Sequence, residues 1–204
     1  MANDDTIAAR GGMLPVQFPV GNYRRTLYKL TTSATAAVFI GQPMDLNATG
    51  GVVPASVGDQ TYILGPVVGF VDTNKAGIAD GQDSLTQGGY LPANKDAFCV
   101  IADDPDQLFQ IQEDTGGSAL AQTNVGNTAA IVPRTSSGNT TTGYSTFELD
   151  RSDAAADNSG SLLVIGLVDV MNSDGTSNAF GDKADLLVKI KHHRHNGLSK
   201  LGAI

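Results

Sequence analysis

Three groups of residues in this 204-residue chain have the types and spacing to do chemistry. Asp103, Asp104 and Asp106 crowd three carboxylates into four positions, a donor set that suits a hard cation such as Ca²⁺. The spacing of an EF-hand, with its central Gly and closing bidentate Glu, is absent, and Pro105 makes an Asp-Pro turn the stronger reading. Asn172, Asp174 and Asn178 around Gly175 form a second oxygen-rich stretch, again without a closing Glu, and again read as a turn. His192, His193 and His195 offer imidazoles to a transition metal, with His193 and His195 on one face of an extended strand. No carboxylate or thiol lies nearby in sequence to complete that set, so neither a metal nor a cofactor is expected. The histidines read instead as part of a basic segment that pairs with acidic groups and gains charge below about pH 6.5.

Signatures of catalysis are missing. The chain has no Gly-x-Ser-x-Gly elbow, no phosphate loop ending in Gly-Lys-Ser/Thr and no His-Glu-x-x-His. All the histidines fall within one local segment, which would have to serve any triad alone. Carboxylates are plentiful, but a catalytic pair is defined by separation in space rather than by abundance. The single cysteine excludes an intrachain disulfide, and its place in Phe98-Cys99-Val100-Ile101 reads as a buried structural thiol. With no Trp, seven Phe and five Tyr, the chain is poor in stacking platforms for sugars, and it lacks the basic-aromatic interleaving of a single-strand binder. The expectation is a protein that is not an enzyme.

Charge is distributed unevenly behind the net −8. Residues 1–30 hold four basic and two acidic groups, residues 31–188 five basic and 19 acidic, and residues 189–204 four basic, three His and no acid. An acidic body between basic ends repels phosphates over most of its surface, so no direct nucleic-acid partner is expected. Met1-Ala2-Asn3-Asp4-Asp5 lacks the basic and apolar regions of a secretory signal, and no apolar run approaches the roughly 20 residues that cross a bilayer. The expectation is a soluble product of a cytoplasm with no membrane partner.

The elements that must position these residues read as strands. Gly at 24 of 204 and charged residues at 17%, against roughly 25% in ordinary soluble domains, favour turn-rich β structure over helix. Leu162 to Val168 is a short apolar run and Leu186 to His192 alternates apolar and basic residues with period two, giving a strand pair joined by an Asn/Asp/Gly/Ser-rich link. Upstream, strands are expected at Arg25 to Leu30, Ala37 to Ile40, Pro43 to Leu46, Gly51 to Ala55, Ile63 to Val71, Ala97 to Ala102 and Leu108 to Gln112, with a tight turn at Asn47 to Gly51 and a polar loop over residues 72–95. The fold class is therefore all-β, a turn-rich small barrel or sandwich. Residues 1–22 read as an extended N-terminal arm, because Pro15 and Pro19 oppose helix. The body spans 23–191, with a long Thr/Ser/Gly-rich excursion at 115–146 holding at most short strands such as Ala129 to Val132, and 192–204 form a basic C-terminal tail.

Several pieces in this order carry a resemblance: Tyr90 to Asn94, Ala102 to Asp106, Phe109 to Asp114, Asn124 to Asn127, Gly143 to Ser145, Glu148 to Asp150, Gly166 to Val168 and Leu187 to Ile190. Over its C-terminal half to two-thirds the chain resembles the capsid decoration, or cement, proteins of tailed bacteriophages. The resemblance implies a virion protein on the outer surface of an icosahedral head, assembled with itself as a homotrimer and bound to the major capsid protein, whose shell it stabilises. On that reading the apolar arm residues Leu14, Val16, Phe18 and Val20, with Arg10, Arg24 and Arg25, are candidates to contact a capsid or sibling subunit. Lys189, Lys191, Arg194 and Lys200 at the basic end form a second candidate contact. The alternative is a head-fibre base or tail-associated module that binds a host surface glycan or protein.

Overall fold

In the computed structural model, which describes residues 11–16, 23–30, 36–58, 60–72, 89–156, 159–172 and 175–196, the period-two patterns become antiparallel strands. β14 (Asp185–Ile190) shows why. Its Leu186, Val188 and Ile190 are buried on one face while Leu187 and Lys189 are half-buried on the other. It lies at the centre of a five-stranded sheet ordered β1 (Leu14–Pro15), β9 (Leu108–Gln112), β14, β13 (Leu162–Leu167), β10 (Thr128–Ala129). The apolar run of β13 has one buried face only. Val164 pairs with Val188 and Gly166 with Leu187, so Ile165 is the extra residue of a bulge and turns toward solvent.

A second five-stranded sheet is ordered β2 (Arg25–Lys29), β8 (Ala97–Ala102), β6 (Gly65–Asp72), β4 (Pro43–Leu46), β5 (Val52–Pro54). Each sheet shares a core with a two-stranded ribbon. The ribbon of β11 (Ile131–Gly138) and β12 (Ser145–Leu149) adds Ile131, Phe147 and Leu149 to the core of the first sheet, beside Phe109, Ile111, Leu162 and Val188. The ribbon of β3 (Val38–Phe39) and β7 (Tyr90–Leu91) adds Val38 and Leu91 to the core of the second, beside Met44, Val67, Phe70, Cys99 and Ile101. Between the two expected architectures the structure selects the sandwich-like one, with no closed barrel. Among the described residues there is no α-helix, only 3₁₀ turns at Gln122–Asn124, Arg151–Asp153 and Arg194–Asn196.

Three boundaries differ from the sequence reading. Residues 11–16 of the expected arm belong to the body: Met13 is fully buried and Leu14–Pro15 pair with Phe109 and Gln110 of β9. Glycine permits this docking, because the chain at Gly11 and Gly12 crosses Gly41 so closely that a Cβ on Gly41 would overlap the Gly11 carbonyl. Gly41 also sits at φ +80°, and Met13 N–H donates to its carbonyl at 2.9 Å. The second boundary is the expected tail, whose residues 192–196 are woven into the body by Ile63 N–H to His192 O at 3.0 Å and Arg194 N–H to Ile63 O at 3.1 Å. The third is the excursion at 115–146, which contains the whole of β11 and begins β12. Thr and Ser there serve as strand residues, which a reading centred on apolar alternation misses. Tyr90–Leu91 is likewise a strand inside the expected polar loop. Residues 1–10, 17–22, 73–88 and 197–204 lie outside the described residues, and with them Arg10, Phe18, Val20 and Lys200.

Candidate functional site

The start of β2, residues 193–195 and the Asp-rich turn meet at one junction. Asp104 and Asp106 make the turn that Asp-Pro implies, with Asp106 N–H donating to Asp104 Oδ1 at 3.0 Å and Gln107 N–H to Asp104 O at 3.1 Å. Asp103, at the end of β8, points the other way and is 1% exposed. Its Oδ1 accepts from Arg24 Nε at 3.0 Å and its Oδ2 from the Tyr28 hydroxyl at 2.8 Å, while Arg24 Nη2 donates to the Asp103 carbonyl at 2.6 Å. His195 closes the junction, its Nδ1 lying 2.9 Å from Arg24 Nη2 and its Nε2 3.5 Å from the Tyr28 oxygen. His193, 1% exposed, accepts the His195 backbone N–H at Nδ1 over 3.0 Å, and the two rings lie 5.4 Å apart. A neutral His193 that accepts at Nδ1 carries its proton on Nε2.

The electrostatics fit a fastening. Burial opposes ionisation of Asp103, but the hydrogen bonds from Arg24, Tyr28 and Thr26 outweigh it and hold the carboxyl below its usual range. Burial, reinforced by the bond to Asp103, pushes the Tyr28 phenol up, so it stays a donor and is no base at neutral pH. Burial also pushes His193 down to about 4, with the charges of His195 and Arg24 adding and Asp103 opposing. Hence the imidazole packed beneath this junction is neutral at pH 7. Among the described residues no three His, Cys, Asp or Glu are arranged to hold a metal.

The other predicted contact cations have places of their own. Arg194 grips Asp45 through Nε and Nη2, both at 2.5 Å, and its guanidinium lies 4.4 Å from the centre of the Tyr62 ring. Lys189 Nζ reaches Asp106 Oδ1 at 2.7 Å on the surface. Arg24, Lys189 and Arg194 are thus bound to carboxylates of their own acidic body. Leu14 and Val16 are half-buried against β9, with Val16 N–H donating to Leu108 O at 3.0 Å and Gln107 Nε2 to Val16 O at 2.8 Å. Lys191 is half-buried. Arg25 is exposed, 6.0 Å from the Tyr23 ring centre.

A second polar centre escaped the sequence reading. Arg151, buried at the end of β12, donates through Nη1 to Glu113 Oε1 at 3.2 Å and Asp182 Oδ1 at 2.6 Å, through Nε to Gly116 O at 2.9 Å and through Nη2 to Thr115 O at 2.9 Å. Glu113 Oε2 accepts from Leu120 N–H at 3.1 Å, so both of its oxygens are engaged. Burial pushes Glu113 up to about 6 against the pull of Leu120 and Arg151. A perturbed buried acid is a catalytic candidate in general. Here four of the five guanidinium N–H groups are taken by loop carbonyls and carboxylates, and the effect is to hold residues 113–120 to β12. Beside it Lys183 Nζ donates to Glu148 Oε1 at 3.1 Å, both buried. The signal available in sequence was charge clustered at strand ends, in Gln112-Glu113-Asp114 and Glu148-Leu149-Asp150-Arg151, within a chain sparse in charge. The other oxygen-rich stretch is a turn with a clamp: Asn178 Nδ2 donates to Val168 O and Asp185 O at 2.9 and 2.7 Å, and its Oδ1 accepts from Asp185 N–H at 3.1 Å.

Comparison of the chain with protein-family models, with curated proteins and with solved structures finds no match.

Proposed function

We propose that this protein is a virion structural protein that binds the outer surface of an icosahedral bacteriophage head, as a homotrimer, and cements neighbouring major capsid subunits. Two things support the reading: the ordered resemblance along the C-terminal half of the chain, and the use to which its polar groups are put. The observation that carries most weight is that Asp103, Asp45 and Asp106 fasten Arg24, Arg194 and Lys189, tying the start of the second sheet and the C-terminal segment to one body. A body tied in this way suits a clamp between neighbouring subunits. A protein that binds only the mature lattice stabilises it by mass action, and weak contacts repeated over many subunits add through multivalency.

The test is the number of copies on purified virions, counted by cryo-electron microscopy with symmetry imposed. Density at every local three-fold axis is the expected result; absence from the head overturns it. One observation favours the alternative, a fibre-base or tail module that meets a host glycan or protein. Tyr144 is exposed beside the Thr140-Thr141-Thr142 tip of the β11–β12 ribbon, which presents a ring at a loop. Density confined to the tail, or glycan binding lost in Tyr144→Ala, would select that reading.

A further inference from the structure

The first sheet is apolar on both faces. Phe109, Val188 and Val164 point into its core, so by alternation Leu108, Leu187, Lys189 and Leu163 stand on the outer side. The register sets Leu14, Gln110 and Leu187 in one row, continued by the bulge at Ile165 and Gly166, and Leu108, Lys189 and Leu163 in the next. Leu14, Leu108, Leu163, Ile165 and Leu187 join neither core, and Ile165 is 37% exposed. A sheet face turned to water ordinarily reads polar. Four strands about 4.8 Å apart and five residues at about 3.4 Å give this face roughly 300 Å², the size at which an apolar patch on a soluble protein marks a contact. Carboxylates stand at its two ends. Asp106, its side chain 86% exposed, precedes Leu108 by two residues at one end, and exposed Asp169 follows Val168 at the other. Lys189, on the face itself, is tied to Asp106 at 2.7 Å.

The second sheet carries the converse pattern on its outer face. Leu27, 41% exposed, pairs with half-buried Val100, and half-buried Phe98 lies two residues along β8. Arg25 and Lys29 stand exposed two residues to either side of Leu27. Neither has a carboxylate partner among the described residues, whereas Arg24, Arg151, Lys183, Lys189 and Arg194 are each bonded to a carboxylate of their own chain. The end of β2 is bridged to β5 through Leu30 and Val52, so what the strand leaves free is its face and not its edge. Two such faces set against each other would crowd four cations, and two first-sheet faces would set carboxylates against carboxylates in a chain of net charge −8. Unlike faces fit, with apolar centre on apolar centre and cations at the ends meeting carboxylates at the ends.

We infer that these faces are the two halves of one contact between copies of this chain: the outer face of β1, β9, β14 and β13 in one copy packs on the outer face of β2 and β8 in the next, with Leu27 against Leu187 and Ile165 and with Arg25 and Lys29 reaching Asp106 and Asp169. A contact between unlike patches is heterologous, so each copy keeps one of each face free until a ring closes. The inference rests on the capsid reading for the number of copies in that ring, which is three. Its test needs no capsid, so failure here leaves the virion count to be decided separately.

The test is sedimentation equilibrium of the full chain and of variants that spoil one face each, Leu187→Glu on the first sheet and Leu27→Glu on the second. Both positions lie outside the cores, and a dispersed amide NMR spectrum checks that each variant is folded. At about 100 μM the unaltered chain is expected as a trimer and each variant alone as a monomer. Mixed one to one, the variants should form a dimer and nothing larger, because the sound second-sheet face of Leu187→Glu meets the sound first-sheet face of Leu27→Glu and the two spoiled faces stop growth. The charge variant R25E/K29E, altered only at exposed side chains, should weaken the trimer about tenfold or more. A monomeric unaltered chain, a trimer that persists in either single variant, or folded variants that stay apart when mixed would overturn the inference.

Discussion

Acidification should loosen this protein through His193. In the unfolded chain the imidazole has its ordinary value of 6.5, whereas in the folded protein burial pushes it down to about 4. Above pH 6.5 the ring is neutral in both states and costs nothing. Between 6.5 and about 4 the unfolded state takes up a proton that the folded state refuses, so stability must fall as pH falls through this window. At about 1.4 kcal/mol per pH unit the full loss is about 3 kcal/mol, a large part of a typical domain's stability. The local reason is geometric. A protonated His193 can no longer accept the His195 N–H at Nδ1, and its charge would sit close to Arg24, with only Asp103 and the more distant Asp106 opposing.

Other groups titrate in the same range, which decides the form of the assay. Glu113 is raised from 4.5 to about 6, so its folded form binds more protons between those values and stability from that group grows as pH falls through 6. Asp103 is held low, and its contribution is lost only below its unfolded value of 3.8. Both terms cancel in a comparison with His193→Asn, whose side-chain oxygen can take over the acceptor role of Nδ1. Urea denaturation of the two proteins from pH 4.5 to 7.5 should show the variant less stable at pH 7.5 by about 1–2 kcal/mol, from lost packing. By pH 4.5 the wild-type protein should lose about 2–3 kcal/mol that the variant keeps, which reverses the gap and leaves the variant the more stable of the two. A gap independent of pH to within about 0.5 kcal/mol, or an NMR titration of His193 centred near 6.5, would refute the reasoning.

Three further outcomes are expected. Gly41→Ala should cost about 3 kcal/mol in urea denaturation, because its Cβ collides with the Gly11 carbonyl and displaces Met13. Gly50→Ala, at a similar φ of +81° but with nothing within 4 Å, should cost about 1 kcal/mol, and equal costs would remove the close-approach argument. Arg151→Met should lose about 3–5 kcal/mol by leaving Glu113 buried without its cation, and hydrogen exchange should rise first across residues 113–120. Cys99, its thiol pushed up to about 12 by burial, should react with a thiol reagent only at the rate of opening, so labelling in native buffer as fast as in urea would be inconsistent with its place in the core.

Strands were legible wherever apolar residues alternate on a half-buried face. β4, β8 and β9 begin and end at the residues that the pattern marks, and the Asn47 turn forms around Asn47 Oδ1, which accepts from Thr49 N–H at 3.0 Å and Gly51 N–H at 2.9 Å. The strands that escaped are of two kinds. β1 and β7 are two residues long and owe their pairing to partners far along the chain, and β11 is built largely from Pro, Arg, Thr, Ser and Gly. Local sequence carries little of either, because β11 pairs with β12 through a ribbon to whose core face β11 itself supplies only Ile131, the rest coming from Phe147 and Leu149 of β12.

The candidate site was legible in composition and opaque in connection. Two basic ends around an acidic body can be counted without any structure, and the count suggests cations held out to a partner. The fold gives the same asymmetry another meaning, because the acidic body is itself the partner of Arg24, Lys189 and Arg194, across sequence separations of 79, 83 and 149 residues that no local pattern reports. What the pairing leaves outward is smaller and more specific than the count implied. Arg25 and Lys29 stand two residues to either side of an exposed Leu27 on the outer face of β2, while the end of that strand is bridged to β5 through Leu30 and Val52.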